Sequence, residues 1–469
     1  MQTIRVLVRI SIIALVWETR LHASVPDLIG VGGRGIGMGN AQIAESEGIP
    51  ALFYNSAGLL SSTPSSISFG LQFLADSFFV ENPNADNAEA CPVDQGNIPI
   101  QCSLFGNPAE VDPVQQFFIG YQLVLPLPGD LAHRFAVGFL YMGPMGRLAT
   151  VDVPNSASPR MIMFHERPQR WDFMVGLAGR LADGFQVGVG TNFLGENLGG
   201  LQSSLAAGNT SSQSTNGFDA HPFFMAGIKV EPGAWSPHFK HWRYGFSWHQ
   251  ANYLEFQSRI DFQLEGADFP PGGINAKSRA HFVPETWGIG ASYHWIGATT
   301  IQQRIAADLR YKKWSGFPNP SLQLTPSPYS GIVDPGFRDT LAPSLGYEQT
   351  RPLSATWTLA LRTGYSYDVS PAPSQTGPTN FLDNNRHIAS LGVGFNYAPL
   401  GITIDVFTQL HLLVARDHTK DPNEFLEGSL LPGGVGVVDP EVPSENPGYP
   451  GISSGGHAFS AGLSVEVLM

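Results

Sequence analysis

The chain has 469 residues, a formal net charge of −13 and only 14% charged residues, where a soluble chain usually carries about a quarter. The acidic balance excludes nucleic acid as a partner. No stretch beyond the N-terminus supplies the ~20 apolar residues of a membrane-spanning helix, so the low charge points to a transmembrane barrel, in which apolar residues alternate with small or polar ones.

The first element is an export signal. Arg5 and Arg9 give a basic start, Ile10 to Trp17 a short apolar core, and His22-Ala23-Ser24 small residues around a cleavage point after Ala23. Residues 1–23 are expected to be removed. Residues 24–64 differ from all that follows. Gly30, Gly32, Gly33, Gly35, Gly37 and Gly39 crowd a segment that cannot form a regular strand. Ala41 to Ser46 and Ala51 to Gly58 can each form a short helix, with Gly58 as a C-terminal stop. The glycines are not a phosphate loop, because no strand precedes them and no Gly-Lys-Ser/Thr follows.

From residue 65 the pattern becomes period two, as strands demand. In residues 401–414, Ile402, Ile404, Val406, Leu410, Leu412 and Val414 share one face, opposite Thr403, Asp405, Phe407, Gln409 and His411. Residues 286–295 and 355–368 repeat the theme. One face is continuously apolar, with aromatics toward its ends. The other carries isolated charges among Gly, Ser and Thr, which suits a lumen better than bulk water. About fourteen strands are predicted: 65–75, 114–125, 134–143, 170–181, 185–194, 221–230, 243–264, 281–296, 303–313, 337–348, 354–368, 386–397, 401–414 and 456–468. The seventh is long enough to bend or break. Long connections alternate with short ones, as expected with long loops outside and tight turns in the periplasm. The fold class is thus all-β, a closed antiparallel barrel over 65–469 in the bacterial outer membrane.

Two cysteines, Cys91 and Cys102, fall in the polar, Pro- and Asn-rich first long loop. In an oxidising envelope they are expected to form a loop disulfide. Metal binding is the alternative, but no His lies near them, and no metal or cofactor is expected.

Several blocks resemble the FadL family, outer-membrane transporters of long-chain fatty acids and other hydrophobic compounds. Gly37-Met38-Gly39-Asn40-Ala41 with Ala51 to Leu59 is similar to the family's N-terminal plug, although Ser56 stands where its Asn-Pro-Ala motif has proline. Pro284-Glu285-Thr286-Trp287-Gly288 resembles a strand opening, and Asp308 to Ser315 a strand ending in Trp-Ser. The most specific block is Arg362 to Pro373, followed by Asp383-Asn384-Asn385-Arg386. One departure is the C-terminus, Val467-Leu468-Met469, where many such barrels end in an aromatic residue.

The resemblance implies passive uptake. Substrate meets apolar outer loops, moves to a pocket above a plug at 24–64, and leaves sideways through a gap made by an inward strand kink. It implies a plug motif at Asn55, Ser56, Ala57 and Gly58. Phe53 and Tyr54 would cap the pocket or merely anchor the plug. Arg362 would greet a carboxylate or, with Asp172, Arg180, Asp308, Arg310 and Asp405, pair across the lumen. Gly143, Pro144 and Gly146 would form the kink or an ordinary loop start. Phe105, Met161, Met163, Phe164, Phe269, Phe317, Phe337 and Phe381 would gather substrate or pack the loops. The expected partners are a hydrophobic small molecule, outer-membrane lipid and lipopolysaccharide, around a monomer. Two other classes compete. A general porin would lack a plug. A lipid hydrolase would need a Ser-His-carboxylate set, and the thirteen histidines are scattered. Non-reducing peptide mapping of exported protein should recover Cys91 and Cys102 linked; two free thiols would contradict the disulfide.

Overall fold

The computed structural model describes residues 26–60, 64–81, 114–145, 159–165, 171–206, 209–264, 272–297, 301–318, 323–325, 334–423, 446 and 448–469. Cys91, Cys102, Phe105, Gly146 and Phe269 lie outside the described residues.

Fourteen antiparallel strands form the wall. They are β1 (Ser66–Glu81), β2 (Val114–Val124), β3 (Phe135–Pro144), β4 (Asp172–Ala182), β5 (Phe185–Ala206), β6 (Asn209–Val230) and β7 (Trp242–His249). Then come β8 (Glu285–Ile296), β9 (Gln302–Lys313), β10 (Thr340–Pro352), β11 (Trp357–Asp368), β12 (Arg386–Tyr397), β13 (Ile402–Thr419) and β14 (Gly451–Leu468). Each pairs with its neighbour in sequence, and β1 pairs with β14 from Ser66↔Leu468 to Glu81↔Ser453, which closes the barrel. Closure leaves no edge of unpaired backbone facing lipid. The period-two pattern sorts as expected: Ile404, Val406, Leu410, Leu412 and Val414 are exposed on the outer face, while Phe407, Gln409 and His411 are buried inside.

The seventh strand differs from expectation in one respect. It leaves the wall at His249, and Asn252–Leu264 forms an outer hairpin with Gly272–Val283. This hairpin lies parallel to β5, with Asn197 opposite Phe256. The rungs of β7 with β6 stop at Met225, although β6 itself runs back to Asn209, and its rungs with β8 stop at Thr286, just after Pro284, which has no amide hydrogen to give.

The N-terminal segment lies inside the barrel. It contains α1 (Pro26–Ile29), α2 (Gly33–Gly37), α3 (Ala51–Tyr54) and a 3-10 turn at Ser56–Leu59. Residues 28–60 are buried or half-buried throughout. Wall side chains hold its backbone: Gln72 Nε2 donates to Gly30 O at 3.0 Å, Gln122 Nε2 to Leu59 O at 2.7 Å, and Lys229 Nζ to Ser46 O at 2.9 Å. Ser464 Oγ accepts from Gly33 N at 2.9 Å. Wall glycines let the two backbones touch. A Cβ on Gly364 would lie 2.1 Å from Gly39 N and 2.2 Å from Met38 C.

Above this segment the outer loops fold into the lumen. Arg160–Met161 pairs in parallel with Phe381–Leu382, and α4 (Ile162–His165) follows directly. Met161, Met163, Phe164, Phe337 and Phe381 share one buried apolar cluster with Trp314 and Phe282, against which Phe317 packs. Phe78 and Phe164 approach to 4.5 Å between ring centres, and Phe317 and Phe337 to 4.2 Å.

Gly364→Val should separate wall from filling. The barrel should still assemble and show heat-modifiable migration, because no wall rung is lost, while protease should now cleave within residues 26–60. Unchanged protection would show that the backbones do not need this contact.

Candidate functional site

The floor of the lumen is ionic. Arg34 on α2 reaches Glu45 at 2.9 Å and Glu348 on β10 at 3.2 Å. Glu45 also meets Arg304 at 3.1 Å, and its Oε1 accepts from Ser292 Oγ at 2.5 Å. Glu348 binds Arg304 at 2.9 Å and Arg362 at 2.5 Å, and Arg362 continues to Asp405 at 2.6 Å. Arg243 pairs with Glu47 at 3.0 Å. Burial by itself would raise the Glu45 carboxyl. The hydrogen bond with His294 and the charges of Arg34, Arg304 and Arg243 prevail and hold it well below the usual carboxylate range. A second set lies higher: Asp308 Oδ2 accepts from Gln42 N at 2.6 Å and Ile43 N at 2.9 Å, while Arg310 contacts Asn40 O.

The segment from Asn55 to Gly58 is a structural knot. Asn55 Nδ2 donates to Ile43 O at 2.7 Å and Ile228 O at 3.0 Å, and its Oδ1 accepts from Ala57 N at 3.1 Å, capping the 3-10 turn. One short amide therefore ties two parts of the segment to β6. Ser56 and Ala57 are buried, and a Cβ on Gly58 would meet Ser46 O at 2.1 Å.

Above the floor lies a cavity of about 140 Å³. Its inner side is made by Leu28, Gly30, Asn40, Phe53 and Tyr54. Tyr54 is fixed by donating to Asn40 Oδ1 at 2.7 Å and accepting from Val31 N at 3.0 Å, and Phe53 meets its ring edge-on at 5.0 Å. Strands β7 to β12, with Val283 and Pro284 just before β8, supply the rest, including Arg310, Lys312 and Asp368. These charges are already matched. Arg310 faces Asp308 at 3.2 Å, and Asp368 holds both Lys312 at 2.5 Å and Arg386 at 2.6 Å.

Residues 31–425 match the family model described as outer membrane protein transport protein (OMPP1/FadL/TodX). The chain belongs to this family. Among solved structures, a Pseudomonas aeruginosa FadL homologue is 14% identical, with 93% of this chain and 97% of that chain covered and a TM-score of 0.53. The P. putida toluene transporter TodX is 10% identical, with 94% and 99% covered and a TM-score of 0.51. At these identities the likeness concerns the fold. No curated protein sequence matches the chain. Family and fold together place this FadL-family barrel in the outer membrane, among transporters of hydrophobic compounds.

In this FadL-family barrel, Phe53 and Tyr54 line the cavity, whereas Arg362 is paired with Glu348 and Asp405 and is not among the lining residues. Asp172 accepts from Asn192 Nδ2 at 2.7 Å. Gly143 and Pro144 end β3 in unbroken register with β2, through Gln116↔Pro144, and do not line the cavity. Lys312 and Asp368 were not singled out by sequence as pocket residues. Both sit in family-like blocks, but their pairing spans 56 residues. Ser292, His294 and Glu45 do meet, yet His294 turns the same Nε2 to both Ser292 and Glu45. A hydrolase relay needs the two ring nitrogens to serve different partners.

Glu45→Ala should weaken the seating of residues 26–60 by about 1–3 kcal/mol, since it leaves the half-buried guanidinium groups of Arg34 and Arg304 short of a partner. Limited proteolysis of the assembled barrel reads this out. The Glu45 carboxyl is depressed in the folded state, so its contribution is present above the ordinary value of 4.5 and lost as pH falls through the depressed one. Wild-type protection should therefore persist in mildly acidic buffer and fail only in strong acid.

Proposed function

We propose that the barrel takes up small uncharged hydrophobic compounds by passive diffusion, with residues 24–64 as a plug and a lateral exit through the wall. The observation that carries this reading is the cavity of about 140 Å³ whose charges are paired with one another. A cavity of about 150 Å³ holds one benzene ring. A long acyl chain would extend beyond it, and its carboxylate would find Arg310, Lys312 and Arg386 already paired with Asp308 and Asp368. An uncharged ring instead meets the faces and edges of Phe53, Tyr54 and Tyr367. The ring-sized substrate named for the P. putida neighbour agrees with this size.

The plug reading rests on the burial of residues 28–60 and on their ties to β1, β2, β6 and β14. A lumen filled in this way resists water and ions, which argues against a general porin. The buried apolar cluster above the cavity supplies the approach from outside. Each step is downhill partitioning between apolar surfaces, so no energy source and no catalytic group is required.

Purified protein should bind toluene and fail to bind palmitate, measured by equilibrium partitioning in detergent. Preferential palmitate binding would overturn the substrate class. Deleting residues 24–64 should leave an assembled barrel with raised single-channel conductance and no selective uptake. Conductance equal to that of the intact protein would remove the plug from the mechanism. Asn55→Ala should impair uptake while assembly is retained.

A further inference from the structure

Inside the barrel, Arg34, Arg304, Arg310, Lys312, Arg362 and Arg386 each lie within 3.2 Å of a carboxylate. Two arginines at the outer rim depart from this pattern. Among the described residues, neither Arg338 nor Arg416 forms an ion pair. Arg416 gives Nη1 to the backbone oxygens of Ala372 at 2.7 Å and Asp383 at 3.4 Å, which leaves Nε and Nη2 as uncommitted donors. Arg338 is exposed, and its backbone N donates to Pro371 O at 2.9 Å while its guanidinium stays free. Both side chains line one cleft of about 670 Å³, and each feels the charge of the other.

The fold opens this cleft at the end of the wall. β10 and β11 pair from Pro352↔Thr358 to Ser344↔Ser366 and then part, and the next link above is Arg338 N to Pro371 O. Arg338, Asp339 and Thr340 border the cleft on one side, and Val369 to Ser374 on another. β13 closes it. Its register with β14 shifts between Leu413 and Arg416, and this bulge breaks the alternation, so that Val414, Ala415 and Arg416 all reach the cleft. Val414 and Ala415 are exposed on the lipid-facing side, so the cleft opens outward.

Its level relative to the membrane follows from its neighbours. Tyr311 and Tyr365 are exposed on the outer face just beneath it, with Tyr365 Oη 2.8 Å from His387 Nδ1. Tyr311 is one residue short of Lys312, the rung partner of Thr340 in the cleft. Aromatic girdles mark the boundary between the apolar band and the headgroups. Leu341 and Leu412, exposed at the height of these aromatics, end the apolar band. The cleft therefore stands at headgroup height on the outer side.

We propose that the cleft between Arg338 and Arg416 is a docking site for the phosphorylated sugar headgroup of an outer-leaflet glycolipid, lipopolysaccharide, with both guanidinium groups directed at its phosphate. Planar guanidinium donors match phosphate oxygens in pairs. Asp339, the one carboxylate among the lining residues, is engaged by Tyr311 Oη at 2.5 Å and Ser315 N at 2.8 Å. The volume falls within the ~300–1,000 Å³ of pockets that hold organic ligands. The chain as a whole carries −13, so an anionic lipid needs a local excess of positive charge, and basic pockets at headgroup height provide it. The site is separate from the uptake cavity, whose cations are already paired.

The test measures binding of lipid A to purified protein in detergent by native mass spectrometry. EDTA is present throughout, so that no divalent cation bridges lipid to acidic loops. Four proteins are compared: the unaltered chain, Arg338→Ala with Arg416→Ala, both arginines changed to lysine, and Arg351→Ala, an exposed arginine at the opposite end of β10. Assembly is verified by heat-modifiable migration. The double alanine variant should bind lipid A about tenfold more weakly or worse. The lysine pair should recover part of the loss, and Arg351→Ala should bind as the unaltered chain does. Dephosphorylated lipid A should bind the unaltered chain as weakly as lipid A binds the double alanine variant, a comparison that stands even if that variant fails to assemble. Equal binding of the two lipids, or undiminished binding by the double alanine variant, overturns the proposal. Displacement of lipid A by an equal concentration of inorganic phosphate reveals an adventitious anion site only and overturns it as well.

Discussion

No water is available in the core of a bilayer, so every backbone amide and carbonyl there needs a partner within the protein. The rest of this molecule follows from that constraint. Fourteen strands can satisfy it only by closing, β1 against β14. Closure fixes an inside and an outside, and the period of two then sends Ile404, Val406 and Leu410 to lipid and Asp405, Phe407 and Gln409 to the lumen. A barrel of this girth leaves a lumen too wide for wall side chains alone to fill. The chain fills it with its own two ends of supply, the N-terminal segment from below and the outer loops from above.

What holds the lower filling in place is electrostatic. Arg34, Glu45 and Glu47 come from the segment, and Arg243, Arg304, Glu348 and Arg362 from the wall. Removing so many charges from water is costly, and the attraction returns little net stability beyond that cost. Its effect is to specify position. A shift of the segment by one turn would strand several buried charges at once, whereas the apolar contacts of Leu52 or Leu59 would tolerate sliding. The glycine contacts act in the same direction, because Gly39 fits against Gly364 only where neither has a side chain.

The same economy of charge shapes the cavity. Arg310 and Lys312 look from their sequence like cations awaiting an anionic ligand. In the fold each already faces a carboxylate, Asp308 or Asp368. The cavity mixes apolar and polar side chains and its charged groups are paired, which favours a guest that carries no charge of its own. Among the described residues, one irregular stretch of its boundary is the wall where β10 and β11 part company around Pro343. In a structure whose existence depends on pairing, an interruption of the ladder is the feature most in need of a reason.

The sequence by itself determined the wall. Alternation over 401–414, 355–368 and 286–295, with long and short connections in turn, located most strands to within a few residues, because a lipid-facing strand admits few other patterns; β5 and β6 instead run on to Ala206 and from Asn209, so that most of the expected loop 195–220 is paired strand. It also marked residues 24–64 as different in kind, since a glycine-crowded segment cannot be a strand. The seventh strand broke where its length hinted, but the break at His249 depends on where its rungs to β6 and β8 stop, which no local pattern records. Only the tertiary structure decided the interior. Arg362 and Lys312 look alike as lumen-facing cations, on β11 and β9 with β10 between them. One became part of the floor and the other part of the cavity, because barrel shear and the seating of α2 determine which carboxylate each one meets. The register of β10 against β11 is equally silent in sequence. It follows from closure of the whole ring, which sums the stagger of every strand before the last pair is placed.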